Sequence, residues 1–146
     1  MLRGHFPARI DDKGRLKVPA PFKQELEQHY TDEFCVTSLD GRYVRIYPME
    51  EWGKIEEKMA HSSSFSQIRR KFLDRANYFG QIVHWDKQGR ILIPTVLREE
   101  AEMKGEVAVL GNLTYLAVWN KERFQEEIRN NPFTPEDERI LDDLGV

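Results

Sequence analysis

Apolar positions alternate with polar ones over Leu16-Lys17-Val18, which predicts a strand with Leu16 and Val18 facing inward. A proline follows, and a short helix is predicted from Pro21 to Gln28. Next come a buried-strand run, Phe34-Cys35-Val36-Thr37, a glycine turn at Asp40-Gly41, and a strand opening at Tyr43-Val44-Arg45-Ile46-Tyr47. A helix begins near Met49-Glu50-Glu51-Trp52. The same series then returns. Ile91 and Ile93 repeat Leu16 and Val18, with a helix predicted from Thr95 to Glu102 and a buried strand at Val107-Ala108-Val109-Leu110. A turn at Gly111-Asn112, a strand at Tyr115-Leu116-Ala117-Val118-Trp119 and a helix near Lys121-Glu122-Arg123-Phe124 complete it.

The repeat is explicit in residue identity. Ile10-Asp11-Asp12-Lys13-Gly14-Arg15-Leu16-Lys17-Val18-Pro19 lies 75 positions before Trp85-Asp86-Lys87-Gln88-Gly89-Arg90-Ile91-Leu92-Ile93-Pro94. Phe22 and Leu97 share a position, as do Lys23 and Arg98. A unit of four short strands cannot cover its own apolar face, whereas two units interleaved into one barrel can. The reading divides the chain into repeats at 1–48 and 78–129, a helical insert at 49–77 and an acidic C-terminal tail at 130–146.

In the insert, Met49, Trp52, Ile55 and Met59 fall on one helical face, and Phe65, Ile68, Phe72 and Ala76 on the next. Ser62-Ser63-Ser64 separates them, and Ser64 with Gln67 has capping-box spacing. These stripes read as core or subunit contact. In the tail, Thr134-Pro135-Glu136-Asp137 starts a last helix carrying Ile140, Leu141 and Leu144.

With 146 residues, 40% of them hydrophobic, the chain is ordered and has no apolar run of spanning length. The lone cysteine, Cys35, forms no internal disulfide and reads as a core residue. These features predict a soluble, cytoplasmic protein with no signal peptide, membrane association, cofactor or small-molecule effector.

The net charge of −3 opposes nucleic-acid binding until its distribution is considered. Residues 1–23 hold six basic side chains against two acidic ones, and residues 68–98 hold seven against two. Such a sided distribution suits phosphate, because binding follows the local field. It equally describes two ordinary solvated faces.

Each Asp-x-x-x-Arg segment has the chemistry of a tight hairpin. Gly14 and Gly89 suit a turn position with positive φ. Asp11 and Asp86 can accept the turn's N–H groups and pair with Arg15 and Arg90. One such loop is explained as a stapled hairpin with no further role. Two loops brought to one side make a basic surface, from which an Arg can reach a guanine edge. The four histidines show no metal-ligand spacing with one another or with Cys35. There is no nucleophile elbow and no phosphate-binding glycine loop, so the chain does not read as an enzyme.

The opening Arg3-Gly4, the signatures Asp11-Asp12-Lys13-Gly14-Arg15 and Asp86-Lys87-Gln88-Gly89-Arg90, and Tyr47-Pro48 with Glu51-Trp52 resemble the MraZ family of bacterial regulators. The resemblance covers the chain to about residue 130. It implies an α+β fold, a pseudo-twofold swapped-hairpin β-barrel of two SpoVT-AbrB-type domains with the helical insert against it. It also implies self-association into a ring that binds promoter direct repeats in double-stranded DNA, as a nucleoid-associated repressor of the division and cell-wall gene cluster. DNA contact carries over onto Arg15 and Arg90, with Lys13, Lys17 and Lys87 beside them and Arg3 adjacent. Gln88 stands where the first copy has Lys13, which weakens the second motif's field. The alternative is an assembly or antitoxin-like module that binds a protein partner, with Trp52, Phe65 and Phe72 in the insert as its surface.

Overall fold

Proline opens three of the helices. Pro19, Pro48 and Pro94 occupy N-cap positions with φ of −54°, −55° and −54°. A helix start tolerates proline because its first N–H groups have no partner within the helix. The fourth equivalent position is Asn120, whose side chain accepts from Arg123 N instead. These four points turn the chain from strand into helix at matched places in each repeat.

The computed structural model describes residues 1–146. The first repeat contains β1 (His5–Ile10), β2 (Arg15–Lys17), α1 (Ala20–His29), β3 (Glu33–Thr37) and β4 (Val44–Pro48). The insert is α2 (Met49–Ala60) and α3 (Gln67–Phe79). The second repeat contains β5 (Gln81–His84), β6 (Arg90–Leu92), α4 (Thr95–Glu100), β7 (Gly105–Gly111), β8 (Leu116–Asn120) and α5 (Lys121–Asn130). The tail forms α6 (Pro135–Asp143), closed by the capping box of Thr134 and Asp137.

The strands make one antiparallel sheet in the order β5-β3-β4-β8-β7-β1-β2-β6. Its ends meet where Asp86 N donates to Arg90 O at 2.9 Å, so the sheet is a nearly closed barrel. The fold is α+β, a swapped-hairpin barrel, as the resemblance implied. Four pairings join one repeat to the other: β1 with β7, β3 with β5, β2 with β6 and β4 with β8. The pseudo-twofold axis passes through the Leu16↔Ile91 pair, whose positions are equivalent in the two copies.

Leu16, Ile91, Phe34, Val36, Ile93, Leu97 and Val109 are fully enclosed in this shared core. A smaller cluster lies outside the barrel, where Trp52 of α2 and Ala76 of α3 pack on Cys35 and Tyr47. Thr37 Oγ1 donates to Ala76 O at 2.8 Å and ties α3 to β3. Gly80 makes this approach feasible, since a Cβ there would meet Ala76 O at 2.3 Å. No helix is long and apolar enough to cross a membrane.

Two expectations for the insert change. The cap of α3 is Ser66, which accepts from Arg69 N, because the helix starts two residues later than a Ser64 cap requires. The buried face of α3 is Phe72, Ala76 and Phe79, while Phe65 and Ile68 are 93% and 74% exposed. The later start leaves Phe65 outside the helix and puts Ile68 in its first turn, where it stays exposed although helical spacing sets it on the same side as Phe72 and Phe79.

Ile91→Ala should cost roughly 2–5 kcal/mol in urea unfolding, and Leu92→Ala, on the outer face of the same strand, within about 0.5 kcal/mol. Burial pushes the Cys35 thiol up to about 12, with the Glu56 charge adding to it. A thiol reagent at pH 8 should therefore label Cys35 only when urea unfolds the chain.

Candidate nucleic-acid interface

Each Asp-x-x-x-Arg turn is built from its own residues. Asp11 Oδ1 accepts from Lys13 N at 3.0 Å and from Arg15 N at 2.9 Å, and Oδ2 accepts from Arg15 Nε at 2.7 Å. Asp86 repeats the pattern, with Gln88 N at 2.8 Å, Arg90 N at 2.9 Å and Arg90 Nε at 2.7 Å. The aspartate thus fixes the turn and the direction of its arginine together. Gly14 and Gly89 take φ of +81° and +73°. Both are also covered from the other repeat: a Cβ on Gly14 would strike Arg98, and one on Gly89 would strike Lys23. Lys23 and Arg98 sit at matched positions of α1 and α4, so each helix holds down the turn of the opposite copy.

Pairing of β2 with β6 brings the two turns together. Lys17 lies opposite Arg90 and Arg15 opposite Leu92, all four on the face away from the enclosed Leu16 and Ile91. Arg90 Nη1 lies 3.5 Å from Asp11 Oδ2, an ion pair between repeats. Arg15 spends only its Nε on Asp11, and its two Nη groups make no hydrogen bond within the chain. Lys13, Lys17 and Lys87 have no carboxylate within 4.0 Å, unlike Arg9, Lys54 and Lys121, which are all paired. The result is a small outward face carrying fixed arginines and unpaired lysines.

The copies differ in charge. The first turn carries Asp12 and Lys13 where the second carries Lys87 and Gln88, and Lys17 is answered by the half-exposed Leu92. Arg3 is not brought to this face. It stands at the opposite end of β1 from the turn, where its backbone passes against Gly111. The six extended residues of β1 lie between Arg3-Gly4 and Asp11, on the order of 20 Å. Lys23 and Arg98 were not singled out as site residues; the signal for them was their shared place 75 positions apart.

Both aspartates are held below their usual value of 3.8. At Asp11 the leading cause is the hydrogen bond from Arg15 N; partial burial opposes it, and the Arg15 side chain and Lys13 N add to it. At Asp86 partial burial pushes upward and is outweighed by the bonds from Arg90 and Gln88. A carboxyl depressed on folding stabilises the fold above its unfolded pKa, and that contribution is lost as pH falls through the folded value. Wild type should therefore lose stability below about pH 4. An Asp11→Asn, Asp86→Asn double variant, compared by urea unfolding at pH 7 and pH 3, should lose less over that interval.

The family model described as MraZ protein, antitoxin-like, matches residues 1–75 and again 81–144, and each match holds one of the two Asp-x-x-x-Arg turns. A transcriptional regulator MraZ of Koribacter versatilis is 54% identical over 147 residues, covering 100% of both chains. One of Acidobacterium capsulatum is 47% identical over 146 residues, again 100% of both. One of Syntrophobacter fumaroxidans is 40% identical over 131 residues, 88% of this chain and 85% of that protein. Matched twice along its length and by relatives that it covers end to end, this chain belongs to the MraZ family.

Proposed function

We propose that this chain is a sequence-specific transcriptional regulator that contacts double-stranded DNA through the outward face of β2 and β6. The carrying observation is that Arg15 and Arg90, each locked by its own turn aspartate, share the outer face of β2 and β6 with Lys17, while the unpaired Lys13 and Lys87 stand in the two adjoining turns. Locked arginines lose little freedom on binding and present a planar fork to a phosphate or a guanine edge. Lys13, Lys17 and Lys87 supply phosphate contacts that position the face without reading sequence. The names of its relatives, all transcriptional regulators, support the same reading.

One face of this size gives few contacts. In the proposal, chains assemble into a ring that repeats the face at fixed spacing, and promoter direct repeats engage several chains at once. Simultaneous engagement adds about 10²–10⁴-fold in avidity. Occupying the promoter of the division and cell-wall cluster would repress it. Arg3, remote from the turns, contacts DNA only if the duplex or a neighbouring chain extends past β1.

The test is a mobility shift on DNA from upstream of the protein's own gene, at two salt concentrations. Wild type should shift it, with affinity falling steeply as salt rises. Arg15→Ala and Arg90→Ala should each lose about 1–3 kcal/mol per contact and relax sequence preference. Lys13→Ala should weaken all sequences alike and lower the salt slope by about one. Normal operator binding by Arg15→Ala overturns the assignment of that residue. No shift at low salt from folded wild type favours the partner-binding module, which would also pass a heparin column without salt-sensitive retention.

A further inference from the structure

We propose that the cleft between β1, β7 and α5 is a binding site for a small aromatic carboxylate. The site is separate from the outward face of β2 and β6, and it lies on a surface whose equivalent in the first half of the chain shows what covers it.

In the first half the chain covers that surface itself. Cys35 of β3 lies opposite Ile82 of β5. Tyr47 and Trp52 pack beside Cys35, with ring centroids 5.1 Å apart and planes at 51°. Phe72 of α3 closes over them, its ring stacked on Trp52 at 6.0 Å and 24°, and Ala76 packs alongside.

The second half builds the same floor and leaves it open. Ala108 of β7 lies opposite Pro7 of β1, as Cys35 lies opposite Ile82. Trp119 and Phe124 repeat Tyr47 and Trp52, with centroids 5.7 Å apart and planes at 50°. Phe124 stands at the same place in α5 as Trp52 in α2. Yet α6, which follows α5 as α3 follows α2, buries no residue and lines no part of this surface. A cleft of about 280 Å³ remains over Pro7, Ala108 and Phe124, with the His5 ring at its edge, 6.4 Å from Phe124.

The rim has diverged in charge. Glu33 faces His84 in the first half, and Glu106 faces Arg9 in the second. Lys121, however, stands where the first half has Met49. Arg9 Nη1 and Lys121 Nζ lie 3.7 Å and 3.2 Å from the two oxygens of Glu106, so two cations share one carboxylate. One positive charge is therefore left over beside an apolar floor. A flat ring laid on Phe124 takes the place that Phe72 takes on Trp52, and a carboxylate on that ring answers the spare cation. The motifs of the chain predict no small-molecule ligand because the lining comes from β1, β7 and α5, which only the fold brings together.

The experiment is calorimetric titration of the full chain with 2-naphthoate and with its uncharged analogue 2-naphthamide. Wild type should bind the acid about three- to tenfold more tightly than the amide. Lys121→Ala should remove most of that preference and leave the amide's affinity unchanged. Glu106→Gln, which frees both cations, should tighten binding of the acid about threefold. Phe124→Leu should weaken both probes about two- to tenfold. Lys121 and Glu106 are exposed, so thermal unfolding of their variants should match wild type.

A wild type that binds neither probe, or binds acid and amide alike, overturns the site. So does a preference that survives Lys121→Ala, or an affinity for the acid that Glu106→Gln fails to raise; damage to the fold cannot produce that gain. The mobility shift with Arg15→Ala reads a different surface, so each result stands without the other.

Discussion

Neither repeat satisfies its own strand edges. Within the first copy β1 reaches only β2, and β3 reaches only β4; the remaining edges are filled by β7, β5, β6 and β8 of the second. Backbone N–H and C=O groups at those edges would otherwise be left to solvent or to another chain. Exchange between repeats therefore decides almost everything else: the enclosed core, the axis through Leu16 and Ile91, and the nearness of two turns that are 75 residues apart in sequence.

The site inherits its rigidity from that exchange. Asp11 and Asp86 organise their turns locally, but each turn is also capped from across the axis by Arg98 or Lys23 packed on its glycine. Ile93 N donates to Gly14 O at 2.8 Å, binding the first turn to the second copy's backbone. An arginine held by its own aspartate on a turn held by the opposite repeat has little freedom left to lose on binding. Stability and binding geometry are thus properties of the same few residues.

Duplication has not preserved symmetry on the outside. Enclosed positions remain equivalent, Leu16 with Ile91 and Val18 with Ile93, because the core admits only small changes of shape. On the outward face Lys17 is answered by Leu92, and Lys13 by Gln88. The two helices that follow each half, α2 and α3 after β4 and α5 and α6 after β8, match in order, but Trp52, Ala76 and Phe79 are buried on the first pair and no residue is buried on the second. The insert and the tail carry the most exposed apolar side chains. The barrel is symmetric where packing constrains it and diverges where solvent or a partner is met.

Much of the local chemistry was legible in the chain. The positive-φ glycines, the aspartate that collects its turn's N–H groups and arginine, the prolines that precede helices, and the Thr134 cap are all set by residues within a few positions of one another. So was the repeat, and with it the barrel, since apolar periodicity reports which face an element buries. The cap of α3 escaped because four serines, Ser62, Ser63, Ser64 and Ser66, precede it, and the packing of Phe72 and Ala76 on the barrel settles where the helix starts. The distance of Arg3 from the turns escaped for a related reason: β1 runs straight away from its hairpin, and nearness in sequence to a motif carries no information about which end of a strand a residue occupies. Tertiary structure alone set the crossed covering of Gly14 and Gly89, the Arg90–Asp11 pair and the placing of both arginines on one face, because all of these depend on how β2 registers against β6.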